Sequence, residues 1–218
     1  MPQPQTDASE FFRKGTQKDN EVGVFVFGGC ALKAGGILPF EFLGVMEKHY
    51  PHADVYFYID RNRIWYHQGI DGISLNVAGT GEYLAEKVQQ YKKSVFLGGS
   101  AGGYAAMLFA GLARADHCIA FNPQTDLDDC ESNPEIAAKY DFTKADRDYM
   151  DVTQWLRGNT QYYIFARDTG DSDWIHRRHQ TRRLIPMNKH NIFLQSINAG
   201  MKELRDNGRL MKILDRFI

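Results

Sequence analysis

The sequence predicts one α/β domain: a mostly parallel β-sheet flanked by helices, carrying a helical lid-like insertion. Three observations predict it. Short apolar runs alternate along the chain with helix-patterned stretches, the order that builds a parallel sheet through crossover helices. The run Val22-Gly23-Val24-Phe25-Val26-Phe27 is apolar on both alternating faces, as a strand covered on both sides must be. A third run, Ser94-Val95-Phe96-Leu97, passes into Gly98-Gly99-Ser100-Ala101-Gly102-Gly103 and then into an Ala-, Met- and Leu-rich helix over 104–112.

Composition sets the bounds. A chain of 218 residues fits one domain with a sizeable core. A net charge of −1 gives no electrostatic case for nucleic acid or an anionic membrane. No apolar signal core stands at the start and no apolar run is long enough to cross a bilayer, so a cytoplasmic location is expected. The three cysteines, Cys30, Cys118 and Cys130, form no paired framework, and Cys30 and Cys118, at or in apolar strands, read as buried small hydrophobes. His176 and His179 stand three apart, but the histidines and cysteines show no tight ligand spacing. Neither a metal nor a cofactor is therefore expected. The pairs Arg177-Arg178 and Arg182-Arg183 read as a solvated helix face.

Taken in order, residues 1–20 are polar and read as a poorly ordered extension, with Phe11-Phe12 docking on the body. Residues 21–218 form the domain. After the strand at 22–27, Gly28-Gly29-Cys30 makes a turn. A helix over 40–49 precedes a strand at 55–59. A loop over 60–72 holds Trp65-Tyr66-His67, read as covering a core edge or, for Trp65, lining a substrate pocket. A helix over 82–92 places Leu84, Val88 and Tyr91 on one face. The strand at 117–121 ends in Asn122-Pro123-Gln124-Thr125. Strand C-terminal ends face the ligand crevice in open α/β sheets, so Asn122 and Gln124 are candidate substrate-binding residues as well as turn-makers. The insertion at 125–160 shows helix starts at Asn133-Pro134 and at Thr143-Lys144-Ala145-Asp146, the latter a partial capping box. A strand at 161–166 resumes the sheet, followed by a helix from Trp174 to Arg183. Leu184-Ile185-Pro186-Met187 reads as a short last edge strand, and residues 191–218 as one or two amphipathic helices broken near Gly200 or Gly208.

The chemistry centres on Gly98-x-Ser100-x-Gly102. A dinucleotide loop needs glycines two apart and a P-loop needs Gly-Lys-Ser/Thr; both are missing from this stretch. Strand, sharp turn and helix around G-x-S-x-G are instead the nucleophile elbow of an α/β-hydrolase, where a strained turn lifts the serine hydroxyl above the sheet. A serine hydroxyl needs an adjacent base, and the base needs a carboxylate to fix its tautomer. The fold's chain order is Ser, acid, His. That order selects Ser100, then Asp171 or alternatively Asp168, then His190 as base, with His176 and His179 as rivals; Asp173 reads instead as a helix cap. The Ala101 N–H, and that of Gly29 or Cys30, are the expected oxyanion donors.

The chain resembles the α/β-hydrolase superfamily. In Gly98-Gly-Ser-Ala-Gly-Gly-Tyr-Ala-Ala106 and Phe121-Asn-Pro-Gln-Thr125 it is similar to a compact branch associated with bacterial surface-polysaccharide biosynthesis. The resemblance covers Val22 to the C-terminus and implies serine-dependent ester chemistry on a small-molecule or glycan ester. The chain begins near the third strand of the full fold, so the first hairpin is expected to be missing, which leaves the sheet edge open for a homodimer. Three functions follow: an esterase or deacylase, an acyltransferase using the same triad, and a catalytically silent module binding a glycan or a protein.

Overall fold

The computed structural model describes residues 8–16, 21–32, 36–167, 178–187, 189–197 and 199–218, with backbone alone for 178 and 179. Among these, seven strands form one sheet: β1 (Glu10–Arg13), β2 (Val22–Phe27), β3 (Asp54–Tyr58), β4 (Lys93–Gly99), β5 (His117–Phe121), β6 (Gln161–Ala166) and β7 (Ile192–Ser196). Their order across the sheet is β1-β3-β2-β4-β5-β6-β7. β1 runs antiparallel to β3 and every other pair is parallel. The C-terminal ends of β2 to β7 therefore share one edge, and the loops leaving them meet there.

The helices are α1 (Leu43–His49), α2 (Val77–Val88), α3 (Ala101–Ala113), α4 (Leu127–Ser132), α5 (Pro134–Ala137), α6 (Arg178–Arg182), α7 (Met201–Asp206) and α8 (Arg209–Leu214). Alternation along the strands sorts them into two layers. Phe25, Phe27 and Phe96 face α2, α3 and the 125–160 insertion, while Val24, Val26, Val95 and Leu97 face α1, α7 and α8. Phe27 packs on Phe96 at 5.5 Å and on Phe109 of α3 at 5.6 Å between ring centroids. Burying a side chain of that size contributes about 2–3 kcal/mol. Packing of this kind, rather than capping, fixes α3, whose N-cap residue Ser100 makes no capping bond through its side chain.

Several sequence expectations are corrected. The N-terminal extension supplies a strand: β1 pairs with β3, and Phe11 lies 5.9 Å from Phe57 between ring centroids. Four residues are too few to show a period, so this strand exists by pairing alone. α2 starts at Val77 rather than at 82, because Asn76 caps it by accepting from Gly79 N at 2.8 Å. Gly79 and Gly81 lower the helix propensity there, yet Gly81 lets α2 approach α3, since a Cβ would stand 3.1 Å from Leu112. Thr143 opens no capping-box helix; its hydroxyl turns back to Asp141, and Asp146 caps a separate 3-10 turn at Arg147–Tyr149. Asn133 does cap α5, with Pro134 in its first turn. The largest exchange lies further on. Ile185–Met187 is a 3-10 turn, and the last strand is Ile192–Ser196, a stretch expected to be helical.

Segment 125–160 is tied to the rest of the domain by several contacts. Gly111 lies against the Trp155 carbonyl, where a Cβ would collide. Arg183 bridges Asp126 at 2.9 Å and Asp151 at 2.8 Å, holding the two ends of the insertion together. His67 joins three segments: its Nδ1 accepts from Asp146 N at 3.0 Å, its Nε2 meets the Tyr104 hydroxyl at 3.2 Å, and that hydroxyl donates to the Tyr149 carbonyl. A backbone N–H can only donate, so the His67 Nδ1 is unprotonated and the ring is neutral. Burial pushes its pKa down to about 4.

Two predictions follow. Gly102→Ala must push a Cβ into the Phe27 carbonyl, whereas a Cβ on Gly44 of α1 meets nothing within 4 Å. Urea unfolding is expected to show Gly102→Ala destabilised by about 1–3 kcal/mol through overpacking, and Gly44→Ala gaining up to about 1 kcal/mol of helix propensity. For His67 the unfolded state takes up its proton first as pH falls. Its contribution is complete above the unfolded value near 6.5 and is lost as pH falls toward 4. The urea midpoint should decline between pH 7 and pH 4.5, and His67→Gln should flatten that decline; an unchanged slope would contradict the buried neutral ring.

Candidate active site

β4 runs straight into α3, and the reversal between them falls on Ser100, with φ 55° and ψ −123°. A side chain at this φ is strained unless its surroundings enforce it. They do so by close approach. A Cβ on Gly98 would enter the Gly102 carbonyl, and one on Gly102 would enter the Phe27 carbonyl at the end of β2. Ser100 N donates to Phe121 O at 2.9 Å, fastening the turn to β5, and Tyr104 N closes the first helical bond on Ser100 O at 3.0 Å. Among the described residues the Ala101 N–H shows no hydrogen-bond partner, and it lies at the N-terminus of a 13-residue helix, where the dipole favours developing negative charge.

Gln124, expected at the ligand crevice, touches Ser100. Its Nε2 lies 3.3 Å from Ser100 Oγ, and its Oε1 accepts from Trp65 Nε1 at 2.9 Å. Trp65 is fully buried, stacked on Phe142 at 5.4 Å and edge-on to Tyr140 at 4.9 Å. Fully buried, it shows no exposed surface to a substrate in the structure, and among the described residues its hydrogen bond toward the site is the one to Gln124. The loop that carries it is held by Asp60, whose carboxylate accepts from the backbone N–H groups of Arg63 at 3.0 Å, Ile64 at 2.7 Å and Tyr66 at 2.9 Å. These bonds hold Arg63, Trp65 and Tyr66 at φ of 55°, 55° and 64°. Burial raises the Asp60 pKa, and the backbone donors work against that rise. Sequence reasoning missed Asp60; the signal was an aspartate at a strand end followed by polar turn residues.

The other expected residues separate. Asn122 has φ 45° and its Oδ1 accepts from Arg167 N at 2.7 Å, so its side chain ties the chain leaving β5 to the chain leaving β6. In the β2 loop the Gly29 N–H donates to Glu41 Oε1 at 3.2 Å, while the Cys30 N–H shows no partner among the described residues. Glu41, unforeseen from the sequence, thus sits at the expected oxyanion donor. Cys30 itself is buried, and burial raises its thiol pKa, which keeps it a protonated hydrophobe.

His190 is not brought to Ser100. It precedes β7, which is parallel to β6 with Tyr162 opposite Ile192, so it stands at the N-terminal edge of the sheet, exposed. The length of the strand, about 16 Å, and the separation of β7 from β4 keep it from the elbow. The cause is the exchange noted above: with the last strand placed at 184–187, His190 would follow it, but the real strand begins two residues later. His49, His52 and His117 also lie toward the N-terminal edge, at the end of α1, before β3 and at the start of β5. His67 lies on the Ser100 side of the sheet, but both of its ring nitrogens are engaged. Asp168, Asp171, Asp173 and His176, and the side chain of His179, lie outside the described residues. Both flanks of that stretch reach the Ser100 edge: Arg167 follows β6, and Gln180 of α6 accepts from Thr125 N at 2.7 Å, one residue past Gln124. Among the described residues, no His, Cys, Asp or Glu cluster is arranged to hold a metal ion, and no helix is long and apolar enough to cross a membrane.

No protein-family model and no curated protein matches the sequence. Solved structures do match the fold. The capsule O-acetyltransferase of Neisseria meningitidis serogroup A superposes with a TM-score of 0.63 at 14% identity, covering 94% of this chain and 89% of that one. A carboxylesterase from Lactobacillus plantarum gives 0.56 at 10% identity, over 89% and 81% of the two chains. An acylaminoacyl peptidase gives 0.61 at 15% identity, covering 99% of this chain and 40% of that one. These enzymes share with this chain the fold. The mostly parallel sheet with Ser100 at its sharp strand-to-helix turn is the α/β-hydrolase fold.

Proposed function

We propose that the chain is a serine esterase or deacylase, in which Ser100 takes an acyl group from an ester and water releases it, the ester being borne by a carbohydrate. The observation that carries this reading is the backbone of Ser100, held at φ 55° ahead of the Ala101 N–H, which shows no partner among the described residues. A strained turn costs stability and persists where its surroundings enforce it, and here it sets a hydroxyl beside a donor for the tetrahedral oxyanion. The carbohydrate rests on the motif resemblance and on the likeness to a capsule O-acetyltransferase.

With His190 at the far edge, the base is His176 or His179 and the acid Asp171 or Asp168. The described flanks of that stretch, at Arg167 and Gln180, support the assignment. Ala101 N–H and Cys30 N–H serve as oxyanion donors, with Gly29 available if Glu41 withdraws. The 125–160 insertion acts as the lid. Transfer of the acyl group to a sugar hydroxyl is the second reading. It is supported by the fold likeness to a capsule O-acetyltransferase.

A fluorophosphonate probe should label the wild-type protein and not Ser100→Ala. One of His176→Gln and His179→Gln should lose at least about 100-fold in labelling rate, while His190→Gln keeps the wild-type rate. The rate should rise through about pH 6–7 as the imidazole loses its proton. Unlabelled, folded wild-type protein contradicts the esterase, and loss of labelling in His190→Gln contradicts the base assignment. Product analysis with and without a sugar acceptor separates hydrolysis from transfer.

A further inference from the structure

Resting on the nucleophile reading above, we infer that Gln124 is a further catalytic residue, one that shortens the life of the acyl-enzyme, and that Trp65 is the positioning residue that aims it. An indole N–H can only donate, so the bond from Trp65 Nε1 fixes the carboxamide: Oε1 faces Trp65 and Nε2 faces Ser100 Oγ, 3.3 Å away. Gln124 is fully buried, as is Trp65, and the Asp60-bound loop holds the indole in place. The amide thus meets the serine oxygen as a donor. It cannot take the serine proton, and it leaves that proton for the base.

The consequence lies in which oxygen the donor prefers. A hydroxyl or alkoxide oxygen is a good acceptor. The linking oxygen of an ester is a poor one, because its lone pair is delocalised into the carbonyl. The Gln124 bond therefore weakens when Ser100 is acylated and is regained as the acyl group departs. In that step the oxygen of water or of a sugar hydroxyl bonds to the acyl carbon and gives its proton to the base. The acyl carbon–Oγ bond then breaks with its electron pair on Oγ, and the base returns a proton to Oγ. Gln124 Nε2–H stabilises the charge gathering on Oγ in that last transition state more than it stabilises the acyl-enzyme, and only such differential binding speeds a step.

The test separates the two half-reactions in wild type, Gln124→Met and Gln124→Glu, with Trp65→Phe as the positioning variant. Gln124→Glu keeps an acceptor for Trp65 and loses the donor, so it carries the test if the methionine variant fails to fold. With p-nitrophenyl acetate, rapid mixing reads acylation, the steady state reads deacylation, and intact mass after acid quench reads the acyl-enzyme. Loss of the donor should slow deacylation about tenfold, slow acylation less, and raise the acyl-enzyme fraction; Trp65→Phe should do the same more weakly. Equal losses in both half-reactions, or unchanged deacylation, would overturn the inference while leaving Ser100 the nucleophile. A wild type that traps no acyl group on Ser100 would overturn the nucleophile reading as well.

Discussion

The structure depends on a close approach between three backbone segments that admits no side chain. The end of β2, the end of β4 and the first turn of α3 meet at Phe27, Gly98 and Gly102, and a methyl group on either glycine would stand inside a carbonyl. This contact lets α3 start directly from β4, forces Ser100 to φ 55°, and leaves the Ala101 N–H without a partner among the described residues. The cost of the strained residue, of order 1–3 kcal/mol, is offset by the aromatic packing beneath it, where Phe27, Phe96 and Phe109 interlock.

From that turn a polar chain runs outward. The Asp60 carboxylate collects three backbone donors, which shapes the loop that buries Trp65; Trp65 orients Gln124, and Gln124 meets Ser100. Each link has one allowed direction, because a backbone N–H and an indole N–H can only donate. Rigid links of this kind let a buried residue with no access to solvent set the geometry at a half-buried hydroxyl. The neutral His67 has a comparable role on the α3 side, joining Tyr104 to the insertion.

The elbow was legible because it depends on local chemistry: a strand, glycines at fixed offsets and a small-residue helix. The strands β2 to β6 were legible for the same reason. What failed were assignments that only pairing decides. Leu184-Ile185-Pro186-Met187 and Ile192–Ser196 are both short apolar-leaning runs, and only the edge of β6 selects the second as the strand. That slip carried His190 across the sheet. β1 was hidden because four residues show no period, and Asp60 because its partners are backbone groups invisible in composition. Gln124 was legible as a crevice residue from its position after β5, but its bond to Trp65 joins positions distant in sequence and appears only on folding.

The central claim is that the hydroxyl at the turn carries the acyl group. The most direct measurement is peptide mapping by mass spectrometry after brief mixing with an activated acyl ester and quenching in acid. The account predicts one acyl group, on the peptide containing Ser100. An acyl group found on another residue, or product formed at the wild-type rate by Ser100→Ala, would contradict it.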